Sequence, residues 1–405
     1  MKKIILASCL LAAATAFAQG FGGQQSSGGV PNSDKTADVN YVGDGKTYHT
    51  LDIYIPKEAK DSYPVVIHTY GSAWSMNNSK GSADLNTICA AYVKAGYAVV
   101  TPNHRSASDA IYPAALHDIK AVVRFVRGNA AKYKFDTNFV AVSGFSSGGH
   151  LSSLTATTCG LKEGKSGSVT VDLVGNLGEF TSFSSCVDGA VLWSPPTDIY
   201  TMNPINNFMG SGTYEGAFIG AEREGNKDKW MVASSPYYAS DDDPPVIMFH
   251  GTSDNIVNIE QSQELYDSLK NHNVVTEFVK VSGGSHGDNK MYADENLNKA
   301  VAFLDKAREA KAAAAVVTPP DTSKQDTSVT DTSKTDTLPP DTQSIAIHSM
   351  RVPMLAPVSY SVYSLDGTLV SRSSVLNKQA LRPGVYYVVS KYNTGERKMF
   401  RIVKR

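Results

Sequence analysis

Phe139-Val140-Ala141-Val142-Ser143-Gly144-Phe145-Ser146-Ser147-Gly148-Gly149-His150 is the stretch on which the fold turns. Its first five residues form an apolar, β-branched run that reads as a buried strand, and a helical pattern begins directly after the glycines. A strand that bends sharply into a helix leaves no room for Cβ atoms at the bend, which is the reason for glycines at such positions. The turn would lift the Ser146 hydroxyl clear of the backbone at a helix N-terminus. It would also aim the Ser147 N–H at the place where an oxyanion develops. The pattern G-x-S-x-G is common by itself, and the strand before it and helix after it give it meaning.

Working outward, Leu51 to Ile55, Pro64 to Thr69, Tyr97 to Thr101, Val187 to Trp193, Pro245 to His250 and Thr276 to Val281 are further short apolar runs that read as buried strands. Helical spacing lies between most of them. Across Ala114 to Lys132, for example, Leu116, Ile119, Val122, Val123, Val126 and Ala130 share one face. Strands that alternate with helices return the chain in parallel, so the expected class is α/β: a mostly parallel central sheet flanked by helices. A helix is also expected over Asp84 to Lys94, burying Cys89, and a long amphipathic to Ala-rich one over Asp294 to Ala315.

At 405 residues the chain is long for one domain. Lys2 and Lys3, the apolar run to Ala14 and Ala16-Phe17-Ala18 have the order of a secretory signal, with cleavage expected after Ala18. Leu6-Ala7-Ser8-Cys9 also matches a lipoprotein box, but too few apolar residues separate Lys3 from Ala7. Residues 19–37 are Gly/Ser/Gln-rich at first and read as flexible; the catalytic domain is expected over 38–315, and a Thr/Asp/Ser/Pro linker over 316–343. Residues 344–405 carry ten basic and two acidic side chains, a net +8, and alternate like strands, so a small all-β module is expected there. The whole chain carries 38 Lys and Arg against 39 Asp and Glu, which argues against nucleic-acid binding. No span of a mature membrane protein is expected, and a monomer is. Signal removal leaves three cysteines in an oxidising compartment; Cys159–Cys186 is the preferred pair.

A serine hydroxyl becomes a nucleophile when a base takes its proton, so a histidine held by a carboxylate should follow in the order Ser, Asp/Glu, His. Strand Pro245 to His250 runs into Gly251-Thr252-Ser253-Asp254, and strand Thr276 to Val281 into Ser282-Gly283-Gly284-Ser285-His286-Gly287. Ser146, Asp254 and His286 therefore each follow a strand end, where an open parallel sheet gathers its loops. Asp198 and Asp243 are alternative acids, while His117, His150 and His250 sit in helix or strand patterns that suit structural hydrogen bonding. Oxyanion donors are expected from Ser147 and from Gly71 and Ser72 in the loop Thr69-Tyr70-Gly71-Ser72-Ala73-Trp74. No His/Cys/Asp cluster has metal-ligand spacing, and no cofactor is expected.

Together, Gly144 to Leu151, Tyr112-Pro113 through His117-Asp118, Ser235-Pro236 and His250-Gly251-Thr252-Ser253-Asp254 resemble the α/β-hydrolase superfamily, in its acetyl esterase and feruloyl esterase-like group. The resemblance covers about Tyr48 to Lys306. It implies an α/β-hydrolase fold and a secreted serine carboxylesterase that removes acetyl or feruloyl groups from plant cell-wall polysaccharide such as xylan. The group's His-Gly-Gly-x-Trp oxyanion motif is here Tyr70-Gly71-Ser72-Ala73-Trp74, with Tyr for His and Ser for the second Gly. Trp74 and Trp193 could present flat faces to a sugar or a ferulate ring.

The C-terminal segment resembles the sorting domain of type IX secreted proteins in Tyr363-Ser364-Leu365-Asp366-Gly367, Leu381 to Val388 and Lys398 to Lys404. That resemblance implies export through secretion machinery and a secreted or cell-surface location; adhesion through the +8 charge is the alternative. Two other functions compete with the esterase. A serine peptidase would use the same triad but usually carries a gating domain that the sequence does not show. A non-catalytic carbohydrate-binding relative would be expected to lose Ser146 or His286, and both are retained.

Overall fold

The computed structural model describes residues 29–207 and 210–317 and four strands between residues 359 and 404. The chain divides at residue 321 into two compact units. In the first, the strands in chain order are β1 Ser33–Asn40, β2 Thr50–Pro56, β3 Tyr63–Thr69, β4 Ala98–Pro102, β5 Phe135–Phe145, β6 Glu163–Ser166, β7 Val169–Asp172, β8 Gly189–Trp193, β9 Val246–Gly251 and β10 Thr276–Val281. Eight of them form one sheet in the order β1-β2-β4-β3-β5-β8-β9-β10, while β6 and β7 make a separate hairpin. From β4 to β10 every neighbour is parallel; β1 and β2 complete the sheet with antiparallel pairs.

Burial on both faces explains the unbroken apolar runs. Along β3, Val65 and Ile67 join the core layer that holds Val122, Val126 and Leu265, and Val66 between them joins the layer that holds Ile88, Tyr92 and Phe303. A strand covered on both sides has no polar face to alternate with. The expected helix at Ala114 is Ala114–Gly128, followed after Asn129 by the single turn Ala130–Tyr133. It is buried on more than the apolar face, because residues 158–177 lie across its other side. Lys120 Nζ donates to Thr158 O at 3.0 Å, and Arg124 donates to the carbonyls of Val174 and Leu177. Cys159 and Cys186 are joined as a disulfide across this insertion, and Cys89 is free and buried.

Two boundaries differ from the sequence reading. Among the described residues regular structure begins at β1, ahead of Asp38, so residues 33–37 belong to the sheet and not to a flexible segment. β1 is an edge strand, largely exposed, with no apolar alternation to read; it is held by its ladder to β2 and by Lys35 on Asp52 at 2.7 Å. The helix expected from Asp84 starts instead at Ile88 and runs to Lys94. Asp84 adopts φ +51°, outside the helical region, and its carboxylate lies on buried His68 at 3.3 Å.

The second unit is a four-stranded antiparallel sheet in which β11 Ser359–Ser364, β12 Leu369–Ser373, β13 Gly384–Lys391 and β14 Arg397–Lys404 take the order β12-β11-β13-β14. This is the all-β module expected from the alternation. The signal expected at 1–18, residues 318–343 of the expected linker and the expected turns at 366–367 and 393–395 lie outside the described residues. Among the described residues no helix is long and apolar enough to cross a membrane.

Candidate active site

β5, β9 and β10 run parallel and present their C-terminal ends to one crevice. β5 delivers Ser146 on a turn with φ +53°, ψ −125°, a conformation that a serine holds only when its surroundings impose it. The Ser146 N–H donates to Trp193 O on β8 at 2.8 Å, and the helix Ser147–Thr157 starts at once. Gly148 sits against the carbonyls of Thr69 and Tyr70, so close that a Cβ there would collide with main chain. The nucleophile helix can abut the end of β3 because that residue has no side chain.

The other two groups arrive on loops tied to each other. Thr252 N donates to Val281 O at 3.0 Å, Ser253 N to Gly284 O at 2.8 Å, and Gly283 N to Thr252 Oγ1 at 2.8 Å. His286 is thereby placed with Nε2 2.9 Å from Ser146 Oγ and Nδ1 2.8 Å from Asp254 Oδ2. The carboxylate accepts, so Nδ1 carries the proton and Nε2 is the acceptor for the serine hydroxyl. Asp254 Oδ1 accepts from the amides of Ile256 and Val257 at 3.0 and 2.9 Å. Burial alone would raise the Asp254 carboxyl, but bonds to His250 and His286 outweigh it and hold the group far below the ordinary carboxylate range. The three residues that the sequence order singles out are thus one hydrogen-bonded chain, with an anion at its inner end. Asp198, an alternative acid, accepts from Tyr200 N, Thr201 N and Ser234 Oγ and caps its own turn; Asp243 accepts from Ser240.

Across Ser146 lies the loop after β3. A Cβ on Gly71 would stand 2.8 Å from Ser146 Cβ, so this residue must be glycine for the loop to lie beside the nucleophile. Ala73 and Trp74 follow with φ +47° and +56°, two consecutive non-glycine residues in the left-handed region. The N–H groups of Gly71 and Ser147 donate to no acceptor among the described residues. Ser72 differs from expectation, since its N–H is already donated to Ser147 Oγ at 2.8 Å.

Trp74 and Trp193 are corrected as substrate platforms. Both are buried; Trp74 stacks on Phe218 with centroids 4.8 Å apart, and Trp193 on Phe249 at 4.2 Å. Strand-end position does not reveal what covers a ring from above, and here neighbouring aromatics do. Trp74 instead secures the loop: its Nε1–H donates to His150 Nδ1 at 3.2 Å, and His150 Nε2–H donates to Ala233 O at 2.8 Å. Burial pushes His150 down to about 4 against the pull of that carbonyl, so it stays neutral and keeps Nδ1 open as an acceptor. His250 likewise does more than close a strand: its Nε2 lies 3.4 Å from Asp254 Oδ2 while bonding Val257 O at 2.9 Å. The i, i+4 spacing of His250 and Asp254 was the available signal for that contact. Among the described residues no group of three His, Cys, Asp or Glu is arranged to hold a metal ion.

Known proteins share this architecture. A structure described as a truncated form of a carbohydrate esterase from gut microbiota superposes with a TM-score of 0.66 at 38% identity, covering 70% of this chain and 99% of that one. A bifunctional GH43-CE protein of Bacteroides eggerthii does so with a TM-score of 0.64 at 40% identity, covering 68% of this chain and 35% of that one. In sequence, the chain is 26% identical over 235 residues to the probable carboxylic ester hydrolase LipM of Mycobacterium tuberculosis, covering 58% of this chain and 51% of the relative. The chain spans about half the length of such curated relatives. The BD-FAE family model matches residues 51–269, more than half of the chain and the whole run from β2 through the nucleophile and acid loops; the chain belongs to the BD-FAE family of α/β-hydrolase esterases.

Proposed function

We propose that this protein is a serine carboxylesterase that removes acetyl or feruloyl groups from plant cell-wall polysaccharide such as xylan. The observation that carries the reading is the Ser146–His286–Asp254 chain, with links of 2.9 and 2.8 Å, set beside the uncommitted amides of Gly71 and Ser147. Similarity of 38–40% identity to carbohydrate esterases supports a sugar-borne ester over other carriers.

The chemistry follows from the geometry. Ser146 Oγ attacks the ester carbonyl while its proton passes to His286 Nε2, and the carbonyl oxygen becomes an alkoxide facing the Gly71 and Ser147 amides. The imidazolium so formed is stabilised by ionised Asp254. Collapse breaks the C–O bond to the sugar, and the departing alkoxide takes the proton from His286 Nε2. Water then attacks the acyl-Ser146 carbonyl, gives its proton to the same nitrogen, and the second collapse releases the carboxylic acid and returns the proton to Ser146 Oγ.

Assays of the mature protein on acetylated xylan, methyl ferulate and p-nitrophenyl acetate test the reading. Measurable turnover of a xylan-borne ester is expected, and Ser146→Ala is expected to lower kcat by about 10^4-fold or more at unchanged melting temperature. Activity on none of the esters, or retention of a tenth of kcat in the alanine variant, would refute it. The signal at 1–18 and the sorting-like segment 344–405 support a secreted or cell-surface location, reached through dedicated export machinery. Truncation after Ala315 is then expected to abolish export in a host with that machinery and to leave p-nitrophenyl acetate turnover within about twofold.

A further inference from the structure

The oxyanion side of the site holds one group whose bonding is half complete. Ser147 is buried, and its Oγ accepts the Ser72 N–H at 2.8 Å. The proton of that hydroxyl has no acceptor among the described residues. Leaving a buried donor unpaired costs free energy, and the cost is recovered if an acceptor arrives. Ser147 is also the residue whose own N–H points to the developing oxyanion. Its hydroxyl and its amide stem from one Cα, and Gly71, where an added Cβ would stand 2.8 Å from Ser146 Cβ, lets the loop lie close beside the nucleophile. Rotation about Cβ–Oγ redirects the hydroxyl proton while leaving the bond from the Ser72 N–H in place, so the proton can turn to an acceptor that arrives beside it.

We propose that the Ser147 side-chain hydroxyl is an oxyanion donor, and that the Ser72 amide contributes to transition-state stabilisation by donating to Ser147 Oγ rather than directly to substrate. A hydroxyl that accepts one hydrogen bond is a stronger donor of the next. The arrangement is fixed before substrate binds: Ser147 is held by the helix Ser147–Thr157, and the loop that carries Ser72 is pinned at Trp74 by His150 of the same helix. Such a donor acts mainly on the alkoxide, which accepts more strongly than the ground-state carbonyl, so it raises kcat more than it lowers KM. Ser146 remains the nucleophile and His286 the base; the hydroxyl transfers no proton.

The proposal rests on acyl transfer at Ser146 and is indifferent to which polysaccharide carries the ester. Wild-type turnover of p-nitrophenyl acetate, measured first, tests that reading separately. Ser147→Ala is then compared with wild type in kcat and KM for p-nitrophenyl acetate, and in Ki for a trifluoromethyl ketone that adds to Ser146 as a tetrahedral hemiketal oxyanion. Loss of a single oxyanion donor typically costs about 10^2–10^3 in kcat; release of the Ser72 amide offsets part of it, so a fall of about 10- to 100-fold is expected. The ketone Ki should rise by the same factor while KM stays within about twofold. Ser147→Cys, nearly the same shape with a weak S–H donor, should fall between the two and replaces the alanine variant if that one melts early. A Ser147→Ala enzyme with kcat and ketone Ki within twofold of wild type, or faster than it, would overturn the proposal by showing that the hydroxyl merely occupies the Ser72 amide.

Discussion

On one side of Ser146 the acid and base loops are laced to each other by main-chain bonds, Ser253 N to Gly284 O and Thr252 N to Val281 O. On the other side the oxyanion loop is held by side chains of the nucleophile helix, Ser147 at Ser72 and His150 at Trp74. The acid and base need a fixed separation, which neighbouring parallel strands supply at little cost. The oxyanion loop must keep Ala73 and Trp74 in left-handed conformations, and such strain persists when tertiary contacts over-determine it. Substitutions on the first side should therefore act first on the chemistry and leave the two loops laced, whereas those on the second should also loosen the loop.

The largest effect expected on the acid side comes from Asp254→Asn. It keeps the shape but turns an acceptor toward His286 into one that no longer selects the Nδ1–H tautomer or stabilises the imidazolium, and kcat should fall about 10^3- to 10^4-fold. The same variant reports on acid stability. Because the folded-state carboxyl is depressed, its contribution is complete above the unfolded pKa of ~4 and is lost as pH falls further. Urea unfolding of wild type at falling pH should steepen below that point, with a shallower slope in Asp254→Asn. Equal slopes would show that the carboxylate is not held as the bonds to His250 and His286 imply.

Trp74→Phe tests the oxyanion side. The ring still stacks on Phe218, but His150 Nδ1 loses its donor in a buried place, which should cost about 1–3 kcal/mol in unfolding free energy. Slackening of the loop should lower kcat about tenfold with KM nearly unchanged. Full activity combined with lost stability would make Trp74 a core residue alone and dissolve the contrast between the two sides.

The smallest effect on activity is expected from a position remote from both. Lys120 is buried, and that burial pushes its ammonium down to about 7. The unfolded chain, with an ordinary lysine near ~10.4, binds more protons between these values, so stability should rise with pH across that window. Lys120→Met should flatten the rise in urea unfolding at pH 7 and 9.5, stabilise the protein by about 1–2 kcal/mol at pH 7 and leave ester turnover unchanged. Destabilisation at both pH values would mean that the bond to Thr158 O outweighs the cost of burying the amine.

Much of this molecule is written locally. The apolar runs from Leu51 to Val281 define the strands because a sheet covered on both faces needs unbroken apolar segments. The strand, glycine turn and helix around Ser146 mark it as the candidate nucleophile because that bend tolerates few other residues. Chain order together with strand-end position was enough to prefer Asp254 over Asp198. Elsewhere the deciding partner is distant in sequence. β1 is a strand because β2 offers it a ladder, the far side of the Ala114–Gly128 helix is buried because residues 158–177 cross it, and Trp193 is covered because Phe249 comes from the adjacent strand. Ser72 reads as a free amide until Ser147 Oγ, 75 positions away, is placed against it. Period and turn chemistry record what a residue's neighbours in the chain require, and they hold no record of which remote side chain will fill the space above it.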